Sequence, residues 1–101
     1  MIPFRSYLET YSALKKGSIS CVEITRNYLK RISENKHLNA FIEVYADEAL
    51  TKAKTIDQKI KDGTSGKLAG MVVGIKDNIC YKNHKITASS KALSNFESLF
   101  T

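Results

Sequence analysis

Cysteine is scarce in this chain. Cys21 and Cys80 are its only two, and they stand far apart. No CxxC pair exists, so neither a zinc-ribbon ligand set nor a dithiol redox motif can be assembled, and reduced thiols are the expectation. Long apolar runs are also missing, and none approaches the length a membrane span needs. The opening "MIPFRSYLETY" lacks the charged start, apolar stretch and small-residue cleavage site of a secretory leader. No repeat or low-complexity segment occurs. These absences predict a cytoplasmic protein with no membrane partner.

What is present describes one ordinary globular unit. At 101 residues, 43% hydrophobic and 26% charged, the chain has room for one domain at most and a modest core. Sixteen Lys and Arg against ten Asp and Glu leave +6. That excess permits contact with RNA or an acidic partner without requiring it. The cations are scattered in pairs such as Lys15 and Lys16 or Lys59 and Lys61, the pattern of solvated faces.

Periodicity predicts three amphipathic helices. Tyr7, Leu8, Tyr11 and Leu14 recur at steps of three and four over about Phe4 to Lys16, and Gly17 ends that helix. Ser20 and Glu23 then form a capping box in "SCVE". It opens a helix to about Ser33 or Glu34, with Val22, Thr25, Leu29 and Ile32 as the buried stripe, widened by Ile24 and Tyr28. The third helix carries Ala46, Ala49 or Leu50, Ala53, Ile56 and Ile60 on one face. Asp47 and Glu48 lie in its first turn and Lys59 and Lys61 in its last, until Gly63 stops it. Two segments read as strands: "AFIEVY", Ala40 to Tyr45, and the apolar run Leu68 to Ile75, which suits a strand covered on both faces. A short helix is expected over about Ser89 to Ser94.

The apolar run ends on Lys76, and two readings of that lysine stand. Packed among apolar groups, it would lose protons more easily and could act as a base. Its head could equally lie in water, with "KDN" as a polar corner, and pattern alone favours this. Ser89, Ser90 and Lys91 bring a hydroxyl and an amine together, but adjacent residues point in different directions, so Ser caps of a short helix are the better reading. Cys80 and His84 could face each other across a turn. Two ligands are too few for a metal, which leaves an inert thiol and a surface histidine. Tyrosines and lysines could serve RNA, although Tyr7, Tyr11 and Tyr28 fall on or beside the apolar stripes.

The motifs "GSISCVEITRNYLKRI", "LNAFIEVYADEALTKAKTIDQKI", "GKLAGMVVGIKDNIC" and "ITASSKALSNF" follow one another in an order and spacing that resemble the amino-terminal part of the amidase signature family, over nearly the whole chain. The resemblance implies an α/β fold: three helices and two strands of a larger mixed sheet, with residues 1–101 as the N-terminal fragment of a single amidase domain and incomplete on their own. It also assigns the catalytic lysine of the "IKDN" motif to Lys76, the base end of a serine, cis-serine, lysine triad. Both serines belong to a downstream Gly/Ser-rich segment that is not in this sequence, so the 101-residue chain by itself is expected to be inactive.

The implied function is that of the glutaminase subunit of a tRNA-dependent amidotransferase, which hydrolyses glutamine and passes ammonia to convert Glu-tRNA(Gln) to Gln-tRNA(Gln). Its implied partners are subunits B and C, with misacylated tRNA reached through the complex. ATP and Mg are used by the complete assembly, and no cofactor or metal is expected in this chain. Other readings are a different amidase signature hydrolase and a non-catalytic module that binds subunits or RNA. Two departures from the family's usual pattern stand out. Asn83, His84 and Lys85 occupy the turn after "KDNIC", where a small residue, glycine and proline are common, and Gly74 replaces a frequent alanine.

Overall fold

A computed structural model describes residues 6–101. The first helix, α1 (Tyr7–Lys16), starts at Ser6, whose hydroxyl accepts from the Glu9 amide at 3.3 Å; the expected start at Phe4 lies outside the described residues. The second, α2 (Cys21–Glu34), starts as expected, with the Ser20 hydroxyl accepting from the Glu23 amide at 3.1 Å. The third, α3 (Ala46–Asp62), follows Tyr45. Both α1 and α3 end in a Schellman arrangement. Ser18 and Thr64 donate to the Ala13 and Lys59 carbonyls at 3.0 and 2.9 Å, across left-handed Gly17 and Gly63.

Packing starts from α2 and α3, which lie against each other. Leu14, Cys21, Ile24 and Ala53 form the core, and Ile19, Val22, Ile56 and Ile60 flank it. The buried face of α2 is thus turned toward Cys21 and Ile24, while Tyr28, expected to widen the stripe, is half exposed. Thr25 is buried as expected, and Val22, Leu29 and Ile32 are half-buried. Leu8 is corrected outright: at 78% exposed it faces solvent. The reason is that α1 is met by one loop, residues 67–70, rather than by a full layer. Tyr7 donates its hydroxyl to the Ala69 carbonyl at 2.7 Å, with the Lys67 carbonyl at 3.0 Å.

That loop touches the core at Gly70. Its φ of 85° is in the left-handed region, and a Cβ there would overlap Leu14 Cδ1 and stand 3.3 Å from Cys21 Sγ. Only a residue without a side chain allows the backbone so close.

A second tie comes from Asp57 on α3. Its carboxylate accepts the Cys21 and Val22 amides at 2.7 and 3.2 Å, so α2 begins on a side chain from its neighbour. An anion at that end satisfies orphan donors and complements the helix dipole. Burial, reinforced by Asp57, pushes the Cys21 thiol up to about 12. Cys21 is therefore an inert core thiol.

The expected strands do not form. Among the described residues the one β contact is an isolated antiparallel bridge between Lys85 and Glu97. Its neighbourhood is tied by Asn83 to Ser98, Ser98 to His84 and Ile86 to Phe96 backbone bonds of 2.8, 2.9 and 3.3 Å. Residues 40–45 run without pairing, and Ile42 is 74% exposed. The 68–75 run begins with turns, Ala69 to Gly66 and Met71 to Leu68, and then continues unpaired with Val73 67% exposed. A strand requires a partner's N–H and C=O groups, and neither segment finds one here. The short helix expected over 89–94 is a 3-10 turn, Lys91–Leu93.

Candidate active site around Lys76

Lys76 follows the apolar run in a turn closed by the Ile79 amide donating to the Lys76 carbonyl at 2.9 Å. The lysine is exposed, as are Val72, Val73, Ile75 and Ile79 around it. Partial desolvation by a covered strand is therefore not what this chain displays, since nothing among the described residues covers that run.

The next residue is held far more firmly. Asp77 accepts the Thr87 amide at 3.0 Å on one carboxylate oxygen and the Thr87 hydroxyl on the other. Its own carbonyl accepts the Ala88 amide at 3.0 Å. The Thr87 hydrogen bonds, the hydroxyl's foremost, hold the Asp77 carboxyl below the usual range, and the adjacent Lys76 charge adds a little. Thr87 also opens a tight turn in which Ser90 donates to the Thr87 carbonyl at 2.8 Å. Both central residues, Ala88 and Ser89, are left-handed at φ 47° and 62°. An aspartate and a threonine ten residues apart carry no periodic signal, so sequence reasoning sees "KDN" as a corner and passes over Thr87.

The other candidates resolve differently. Ser90 takes the N-cap position of the 3-10 turn without a side-chain cap bond, and Ser89 and Lys91 are exposed beside it. Cys80 is a half-buried free thiol. His84 turns to α3, where Nε2 is 2.5 Å from Glu48 Oε2, while Nδ1 is 2.7 Å from the Lys82 carbonyl. The imidazole stacks on Tyr81 with centroids 4.0 Å apart and meets Tyr45 edge-on at 4.5 Å. Lys52 donates to the Tyr81 hydroxyl from the same helix. Glu48 leads the causes that raise the His84 pKa, against a smaller opposing effect of burial. Sequence reading leaves His84 on the surface because its partners, Glu48, Tyr45 and Tyr81, come from three separate segments. Among the described residues no group of three or more His, Cys, Asp or Glu is arranged to hold a metal ion. Nor is any helix long and apolar enough to cross a membrane.

Similarity to known proteins runs along nearly the whole chain. The family model described as Amidase matches residues 23–100, and so includes α3, Lys76, Asp77 and Thr87. A protein of Pelodictyon phaeoclathratiforme, named as the A subunit of glutamyl-tRNA(Gln) amidotransferase, is 44% identical over 98 residues, covering 96% of this chain and 21% of its own length. A protein of the same name from Chlorobium chlorochromatii is 44% identical over 96 residues, with coverages of 94% and 20%. One from Chlorobium phaeobacteroides is 39% identical over 98 residues, with coverages of 96% and 21%. The chain thus spans about one fifth of the length of these curated relatives.

Proposed function

The chain belongs to the amidase family, and from that premise we propose that it supplies the general base, Lys76, to an amidase site that releases ammonia from glutamine. The supporting observation is the position of Lys76: an exposed amine on a closed turn, inside the matched region. In this reading the neutral amine draws a proton through a bridging serine from a nucleophilic serine. The serine oxygen attacks the glutamine side-chain carbonyl, the C–N bond breaks as ammonia leaves with the proton, and water then hydrolyses the acyl-enzyme. Both serines would come from a segment downstream of these 101 residues.

The same reading places residues 1–101 within a single amidase domain, in which 40–45 and 68–75 become strands of a mixed sheet once partners lie alongside. Covering the apolar run would then desolvate Lys76 and favour its neutral form. The names of the relatives support a tRNA amidotransferase working in the cytoplasm with further subunits, B and C, and misacylated tRNA. The described residues offer no cluster fit for a metal, so ATP and Mg would be used on one of the partner subunits, and no step of this reading runs through them.

The test is ammonia release from glutamine by the longest natural protein carrying this chain, compared with its Lys76→Ala variant. Loss of about 10³-fold or more is expected, whereas retained hydrolysis would overturn the assignment. The 101-residue chain alone should release no ammonia in a Lys76-dependent way. A natural protein that ignores glutamine but cleaves another small amide through Lys76 would keep the base and change the substrate.

A further inference from the structure

Lys76 has a side chain with four rotatable bonds, so the direction of its amine depends first on how firmly its backbone is held. Two closures fix that backbone. The Lys76 carbonyl is taken by Ile79, and its neighbour Asp77 receives three donors from two consecutive residues, the Thr87 amide, the Thr87 hydroxyl and the Ala88 amide. The donors come from a turn with left-handed Ala88 and Ser89 and no glycine to relieve it. Such backbone persists only where its surroundings over-determine it, and it recurs where geometry serves function. Here the surroundings are the half-buried Asp77 carboxylate.

We propose that Asp77 and Thr87 are a positioning pair for Lys76, a clamp that aims the turn and keeps the neighbouring carboxylate from capturing the lysine amine. This rests on the reading of Lys76 as the base. The chemical sense is direct. A carboxylate one residue from a lysine would otherwise pair with its ammonium and hold the proton there. With one oxygen filled by the Thr87 N–H and the other by the Thr87 O–H, the Asp77 charge is spent on the loop, and the amine stays available. Misplacing a proton-transfer group by about 1 Å can cost about 10²-fold, so the pair acts on turnover more than on binding.

Thr87→Val removes the hydroxyl while keeping the shape, Thr87→Ser restores it, and Asp77→Asn weakens the carboxylate end. In the longest natural protein carrying this chain, Thr87→Val and Asp77→Asn are expected to lower kcat for glutamine hydrolysis about tenfold or more at unchanged KM. Thr87→Ser should stay near the parent, and the double variant should lose little beyond either single change. The 101-residue chain provides a readout that needs no turnover. Backbone amide order parameters of Lys76 and Asp77 should fall below about 0.6 in Thr87→Val and remain near 0.85 in Thr87→Ser. The clamp is overturned if those order parameters do not change, if kcat is retained in both weakening variants, or if activity falls equally in Thr87→Ser. Should Asp77→Asn fail to fold, the Thr87 comparison decides alone. Loss of activity in Lys76→Ala with full activity in the Thr87 and Asp77 variants sinks only the clamp. Full activity in Lys76→Ala sinks the catalytic reading beneath it.

Discussion

Gly70 and Asp57 are the single residues on which the packing turns. Replacing Gly70 by alanine would place a methyl group into Leu14 Cδ1 while forcing a left-handed backbone on a residue with a Cβ. The two costs together come to roughly 2–5 kcal/mol. Gly74, with nothing within 4 Å of its would-be Cβ and no left-handed angle, is the control, and Gly74→Ala should be neutral or slightly stabilising. Urea denaturation of the two variants tests this, and a Gly70→Ala midpoint equal to that of Gly74→Ala would show that the loop does not press on α1 and α2. The contrast could not be seen in sequence, where both glycines sit in the same apolar run. Asp57 is similar. The order Asp57 to Lys61 suggests a helix-surface pair, whereas the carboxylate in fact accepts two amides of α2.

Element ends were legible because they are local. The Ser20 cap, the first-turn acids Asp47 and Glu48, and the glycine at position 63 act within a turn of their own helix, so a short window contains the whole cause. Attachments between elements are not local, and His84 illustrates it. Its two ring nitrogens face a carboxylate and a carbonyl, an arrangement that the doubly protonated ring satisfies at both ends. The charged groups around it are Glu48 and Lys52 on α3, with Glu43 ahead of Tyr45 on the edge side. A folded-state pKa above the ordinary value of 6.5 means that this attachment contributes fully below about pH 6.5 and is lost as pH rises through the higher folded value. Thermal midpoints measured from about pH 5 to 9 should therefore fall across that window in the parent and flatten in His84→Gln and in Glu48→Gln. Parallel curves in all three would show that the attachment does not contribute. Trypsin offers an independent check, since cleavage after Lys82 and Lys85 should quicken on the alkaline side.

At the scale of the whole molecule the apolar inventory exceeds what the fold covers. The radius of gyration is 15.3 Å, against about 13 Å for a compact chain of this length, and Ile42, Val73 and Leu99 are among many large side chains left in solvent. Exposed apolar surface with unpaired backbone favours association. Sedimentation of the 101-residue chain should show mass rising with concentration, together with a broad thermal transition. A strict monomer with a sharp cooperative transition would contradict this. By itself the sequence determined the three helices, their caps and stops, the separated thiols and the membership implied by "GIKDNIC", because each is written in residues adjacent along the chain. Only the tertiary structure decided that 40–45 and 68–75 go unpaired, that Leu8 faces water, and that Asp77, Thr87, His84 and Glu48 meet. Those outcomes depend on which distant backbone or side chain arrives to accept a proton or exclude water, and the distance along the chain at which a partner will be found is not encoded in any local period.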